Sequence, residues 1–209
     1  MSVSRKSMTT IPQIKMEEKF IAWIIKYKSP NFTDATFLIW YADEDNQDTD
    51  KLLTFKNGKI FSTDTIENMQ SKLIDNENEI ENSIKIINWA KNELNNETVE
   101  DNFYDVSFLL NELEKDNYSI NIIELYTNFI NLFGDFARQN AHNNFLLEYE
   151  NNLSIKHLWN YYYEAIFWPR FNDKNNFEKD KLPILEIDKE ELIIKLKEIN
   201  TEFEKQIIR

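Results

Sequence analysis

Residues 35–42 read ATFLIWYA, and residues 51–62 read KLLTFKNGKIFS. The reading of these two stretches decides the fold. The first is short, aromatic and β-branched, which suits a largely buried strand. In the second, Asn57-Gly58 stands between two apolar runs. Asn-Gly accepts the positive φ angles of a tight hairpin turn, and this register sets Phe55 opposite Ile60. The polar stretch 43–50, DEDNQDTD, joins the first strand to the hairpin. The pattern therefore predicts a three-stranded antiparallel meander.

Working outward, Phe20, Ile21, Ile24 and Ile25 recur at helical spacing, with Trp23 beside them, and predict a helix over 14–28. Ser29-Pro30 would end it, because the residue before proline is driven out of the α region. Residues 1–13 read as a flexible arm. Downstream of the hairpin, Asp64-x-x-Glu67 has the form of a capping box for a helix through Leu73. Ile84, Ile87, Trp89 and Leu94 mark a second helix. Phe103, Val106, Leu110 and Leu113 mark a third.

Ser119 would cap a helix carrying Ile122, Tyr126, Phe129 and Phe133. Leu146 and Tyr149 sit in a short helix. Ile155, Leu158, Trp159, Tyr162 and Ile166 form an amphipathic stripe that Pro169 should terminate. A polar loop over 170–183 has Phe171 and Phe177 as anchors. Asp188-x-x-Glu191 opens a final helix with Leu192, Leu196, Ile199 and Phe203 inward. No strand pattern appears beyond the hairpin. The expected fold class is α+β, in one domain over 14–209. Within it, 14–75 form a helix–meander–helix unit and 76–209 a helical part. No Gly-, Pro- or Ser-rich linker divides the two.

Composition bounds the chemistry. At 209 residues with 42% apolar content, the chain can bury a sizeable core. It has no Cys, which excludes disulfides and thiolate zinc sites and suits a reducing compartment. Only Gly58 and Gly134 occur, so neither a dinucleotide-binding fingerprint nor a phosphate-binding loop can be written. The chain holds 27 Asn and 26 Ile against 7 Ala and 4 Arg. That is the usage of an AT-rich genome, and the Asn richness is not read as function. No apolar run reaches the ~18–20 residues that span a bilayer. The expected location is the cytoplasm, with no membrane partner.

Catalytic motifs are scarce. His142 and His157 form no pair at metal-ligand spacing, so no metal or cofactor is expected. No Gly-x-Ser-x-Gly elbow exists. The 43–50 loop lacks the central glycine and terminal glutamate of a calcium loop. Glu164, in the aromatic helix, is the one carboxylate placed to be a general acid, which would require an apolar pocket around it. Tyr161, Phe167 and Trp168 lie off the core stripe. They pack under the 170–183 loop or form a contact surface.

The acidic charge is unevenly placed. Residues 1–30 hold six basic and two acidic side chains, a balance of +4. Residues 31–118 hold 7 and 20, so −13, and residues 119–209 hold 11 and 15, so −4, giving the whole-chain −13. Such crowding repels itself in the folded state. Solubility accounts for part of it, and a basic partner would account for the rest. Direct nucleic-acid binding is disfavoured, because phosphate needs Lys and Arg against it.

A Cys-free, Gly-poor, acidic chain with no catalytic constellation resembles bacterial toxin-immunity proteins, including those of contact-dependent growth inhibition. The segment FLIWYADED at 37–45, followed by LTFKNGKIF at 53–61, is similar in character to that group. The resemblance implies a non-enzymatic protein that binds a cognate toxin domain and occludes its active or substrate-binding surface. If the toxin is a nuclease, its groove is basic and an acidic inhibitor fits it. The contact surface on this reading is Asp43, Glu44, Asp45, Asp48 and Asp50, extended by Glu97, Glu100, Asp101 and Asp105. Two alternatives stay open: an acidic interaction protein or DNA mimic with another basic partner, and a carboxylate-dependent enzyme at Glu164.

Overall fold

Residues 22–28 form a strand, where the apolar spacing predicts a helix. The computed structural model describes residues 20–42, 50–81, 83–94 and 102–209, so the expected arm at 1–13 lies outside the described residues. Strand β1 (Ala22–Lys28) pairs antiparallel with β2 (Thr36–Ala42), with Ile24 opposite Ile39 and Ile25 opposite Leu38. Neighbouring residues of a strand point to opposite faces. Ile24 and Ile39 enter one apolar cluster, while Ile25, Tyr27 and Leu38 enter another. Both faces of β1 are thus buried, and its sequence loses the two-residue alternation that would announce a strand.

Strands β3 (Asp50–Leu52) and β4 (Ser62–Thr63) share the far edge of β2. Between them the chain leaves the sheet as the expected hairpin. Gly58 has φ 81° and donates its N–H to the Phe55 carbonyl at 2.8 Å, while the Phe55 N–H reaches Lys59 O at 2.8 Å. The loop is therefore three residues long with glycine in the left-handed position. The extra residue shifts the register, and Thr54, not Phe55, stands opposite Ile60.

A further strand, β5 (Phe103–Asp105), pairs parallel with the free edge of β1. The sheet order is β3-β2-β1-β5, with β4 beside β2. The sheet is mixed, and the expected antiparallel meander with no later strand is corrected. Phe103 belongs to β5 rather than to the following helix. Asp105 closes the strand and caps that helix, α3 (Val106–Glu114), by accepting the Phe108 N–H at 2.8 Å.

Helices α1 (Met69–Asp75) and α2 (Ser83–Glu93) cover one sheet face. Their Met69, Leu73, Ile86 and Trp89 pack with Ile24, Ile39 and the hairpin's Phe61. Helix α1 begins at Met69, five residues later than the Asp64 cap expected. The other face carries α3, α4 (Ile120–Arg138), α6 (Leu153–Tyr161) and α8 (Lys189–Glu204). Phe203 of α8 is the hub of this core. Its ring lies 5.4 Å from Tyr27 and 5.9 Å from Phe129, with Phe133 and Phe136 also in contact. The expected cap of α8 is present, since Asp188 accepts the Glu191 N–H at 2.9 Å.

Three polar devices tie the layers. The buried Tyr27 hydroxyl donates to Asn200 Oδ1 at 2.6 Å, and Asn200 donates to Glu204 at 2.7 Å. Gln139, just past α4, accepts the Leu52 N–H through Oε1 at 2.9 Å and donates Nε2 to the Leu52 carbonyl at 3.2 Å. At the C-terminus, Ile207 bridges in parallel to Ile60 of the hairpin.

Pro169 does not end its helix. Helix α6 passes through a π-helical turn, Tyr162–Phe167, into α7 (Trp168–Asn172). A π turn widens the backbone locally, which accommodates a ring that would clash with the preceding turn of a regular helix. The fold class is α+β, as expected. Among the described residues, no helix is long and apolar enough to cross a membrane.

Candidate functional site

Of the nine acidic residues singled out by sequence, Asp43, Glu44, Asp45, Asp48, Glu97, Glu100 and Asp101 lie outside the described residues. Asp50 and Asp105 are described, and the fold sets them far apart. Asp50 pairs with Ala42 at one end of β2, and Asp105 pairs with Lys28 at the other end of β1. From strand geometry they differ by ~23 Å along the strands and ~14 Å across them. The carboxylate of Asp105 is also committed, to the α3 cap and to Lys28 Nζ at 3.1 Å.

Asp50 has different neighbours. It opens β3, directly after the acidic 43–49 segment, and lies within electrostatic reach of Asp135 on α4. Asp135 is held in turn near Glu150 at the end of α5 (Leu147–Glu150). A guanidinium joins Asp135 and Glu150. Arg138 bonds Glu150 Oε1 and approaches Asp135 Oδ1 at 3.4 Å. Gly134 makes room for it, since a Cβ there would sit 2.7 Å from both Arg138 Nη2 and Glu150 Oε1.

Burial pushes the Asp135 carboxyl up to about 6, Arg138 pulls it back, and Asp50 and Glu150 push it up further. Burial raises Asp50 as well. Burial and then the charge of Asp135 raise the Tyr104 hydroxyl to about 12. Among the described residues, no three His, Asp or Glu side chains converge closely enough to hold a metal ion.

Sequence reasoning missed Asp135, Arg138 and Glu150. They lie 85 to 100 positions beyond Asp50, and the packing of α4 against β3 and of α5 against α4 brings them together.

Beside Arg138 and Glu150, Trp159 of α6 opens a row of rings that continues through the π turn into α7. Trp159, Tyr163, Phe167 and Phe171 follow at four-residue steps, with successive centroids 4.4, 5.3 and 6.0 Å apart. Asn131 of α4 fixes the first two: its Oδ1 accepts from Trp159 Nε1 at 2.8 Å and its Nδ2 donates to Tyr163 Oη at 3.0 Å. The four-residue spacing was present in the sequence and is the signal that would have found the row. Trp168 is 50% exposed and Phe171 71%, so Phe171 is no core anchor, while Phe177 packs on the core as expected. Tyr161 donates to the Pro183 carbonyl at 2.8 Å and so packs under the loop.

Glu164 lines an open hollow of about 640 Å³ with Tyr161, Pro169 and Phe177. Its side chain is exposed to solvent, not enclosed by apolar groups as a general acid requires. His142 and His157 are both exposed.

No family model matches the chain, and neither does any curated protein. Among solved structures, the C-terminal domain of SatS, crystallised in complex with bromine, is similar. It shares 13% identity and a TM-score of 0.56 over 90% of this chain and 93% of that chain. At that identity the likeness shows the fold alone.

Proposed function

We propose that this protein is a cytoplasmic immunity protein. It binds a cognate bacterial toxin domain, a nuclease in the first instance, and occludes its basic substrate surface. It performs no reaction of its own. The observation that carries this reading is the gathering of Asp50 and Glu150 around Asp135, with Arg138 bonded to Asp135 and Glu150. By sequence the group continues into Asp43, Glu44, Asp45 and Asp48. Asp50 and Asp135 are held above the ordinary range and gain when a cation arrives, so a Lys- or Arg-bearing surface stabilises them as they neutralise it. Trp159, the first ring of the row, lies beside Arg138 and Glu150 and offers an anchor of the kind that dominates interface energetics.

The test is affinity capture by the tagged protein at low and moderate salt, then inhibition of whatever is retained. One basic toxin domain, held at moderate salt and inhibited stoichiometrically, is the expected result. Asp50→Lys should slow its association. Many nucleic-acid-binding proteins, all released as salt rises, would instead mark a general polyanion. Full inhibition by a protein with Asp50 and the 43–48 acids reversed would remove this surface from the mechanism.

A further inference from the structure

We infer that the cleft between α4, α5 and α6 is a binding site for a neutral sugar, a mono- or disaccharide. This goes beyond the protein-binding reading and does not rest on it. The cleft encloses about 580 Å³, within the ~300–1,000 Å³ range of small-molecule sites. One wall is the Trp159 indole. Ile155 and Ile130 lie buried beneath the cleft's lining.

The indole is held in place before any ligand arrives. Its N–H is bound to Asn131 and its ring lies 4.4 Å from Tyr163. A ring fixed in advance loses little freedom on binding, which favours affinity. Asn131 spends one N–H and one lone pair of its amide on this task and keeps a second of each.

The groups left over line the rest of the cleft. Asn160 makes no hydrogen bond among the described residues, and Lys156 has no acidic partner there. Asn151 gives its amide N–H to Leu147 O and keeps its Oδ1 open. Glu150 gives Oε1 to Arg138 and keeps Oε2. The cleft therefore offers donors and acceptors together with one aromatic ring.

The mixture selects the ligand. A phosphate would face Glu150, and a cation would face Lys156 and Arg138. A wholly apolar molecule would strand the open polar groups, each at a desolvation cost of ~1–3 kcal/mol. A sugar matches. Its C–H face lies on the indole, and its hydroxyls, each both donor and acceptor, meet the amides, the ammonium and the free carboxylate oxygen. No second ring stands opposite Trp159 to make the flat slot that a nucleobase prefers.

The experiment is a titration of the full chain with maltose, cellobiose, lactose and chitobiose, followed by saturation-transfer NMR and by tryptophan fluorescence. Adenosine and glucose 6-phosphate serve as comparison ligands. At least one disaccharide should saturate, with transfer strongest at the C–H protons of one ring. Asn160→Ala and Lys156→Ala remove side chains that bond nothing among the described residues, so neither variant threatens folding. Each should weaken binding about tenfold. Saturation by none of the disaccharides, or unchanged affinity in both variants, would overturn the assignment. Tighter binding of adenosine or of the phosphate than of every sugar would do the same. Loss of toxin capture in the Asp50 variant leaves this outcome untouched.

Discussion

Replacing Asp135 with Asn removes the one carboxyl pushed up to about 6, and the size of the effect follows from that shift. The ordinary value is 3.8, so the rise is about two units, or ~3 kcal/mol of preference for the protonated form in the folded state. The direction is fixed by linkage. A carboxyl whose folded value is raised stabilises fully below its unfolded value. It loses that contribution as pH climbs through the folded value. Of the ~3 kcal/mol, ~2.5 is lost between about pH 4 and about pH 8. The Asn variant has no such titration, but it gives up the contact with Arg138 at 3.4 Å at every pH where Asp135 is charged. That contact is largely exposed and contributes ~0–1 kcal/mol.

Urea unfolding of both proteins at the two pH values isolates the effect, because pH-independent consequences of the amide cancel in the double difference. The variant should gain roughly 2 kcal/mol on the wild type between acid and alkaline conditions. Its unfolding slope should stay unchanged. A stability difference that is flat with pH would show that Asp135 titrates normally. The repulsive cluster inferred around it would then not exist.

Two further outcomes bear on the fold. Tyr27→Phe leaves Asn200 Oδ1 buried without its donor and should cost ~1–2 kcal/mol in chemical denaturation, with no change in secondary structure by circular dichroism. Gly134→Ala gains up to ~1 kcal/mol of helix propensity but forces apart Arg138 and Glu150. It should therefore be more stabilising in an Arg138→Ala background than in the wild type, and equal effects in the two backgrounds would argue against the crowding.

Much of the fold was legible because its signals are local. The Asn57-Gly58 turn, the buried strand at 36–42 and the Asp188 cap each lie within a few residues of sequence. Strand β1 was not legible. Helices on both sides bury Ile24 and Ile25 together, and an apolar run with no alternation satisfies a helical template equally well. Strand β5 is three residues long, which is too few for a period, and it exists only because β1 offers an edge. The hairpin register slipped by one because three loop residues, not two, turn the chain. Pro169 misled because a proline stop assumes a regular helix, and the π turn before it is a tertiary outcome. At the candidate site, charge excess was visible in composition. Which carboxylates share a cation was not, since Asp50 and Asp135 meet only through the packing of α4 on β3.

The amide of Gln139 carries one more consequence. A sheet ends where a strand shows its N–H and C=O to open space, and a strange chain can zip onto such a border. At Leu52 that border is occupied. A side-chain amide offers one donor and one acceptor, as a peptide group does, and Gln139 presents both to the backbone of Leu52. It stands in for a neighbouring strand a single residue long. At Leu52 the border is thereby closed from within the same chain, at the cost of one glutamine.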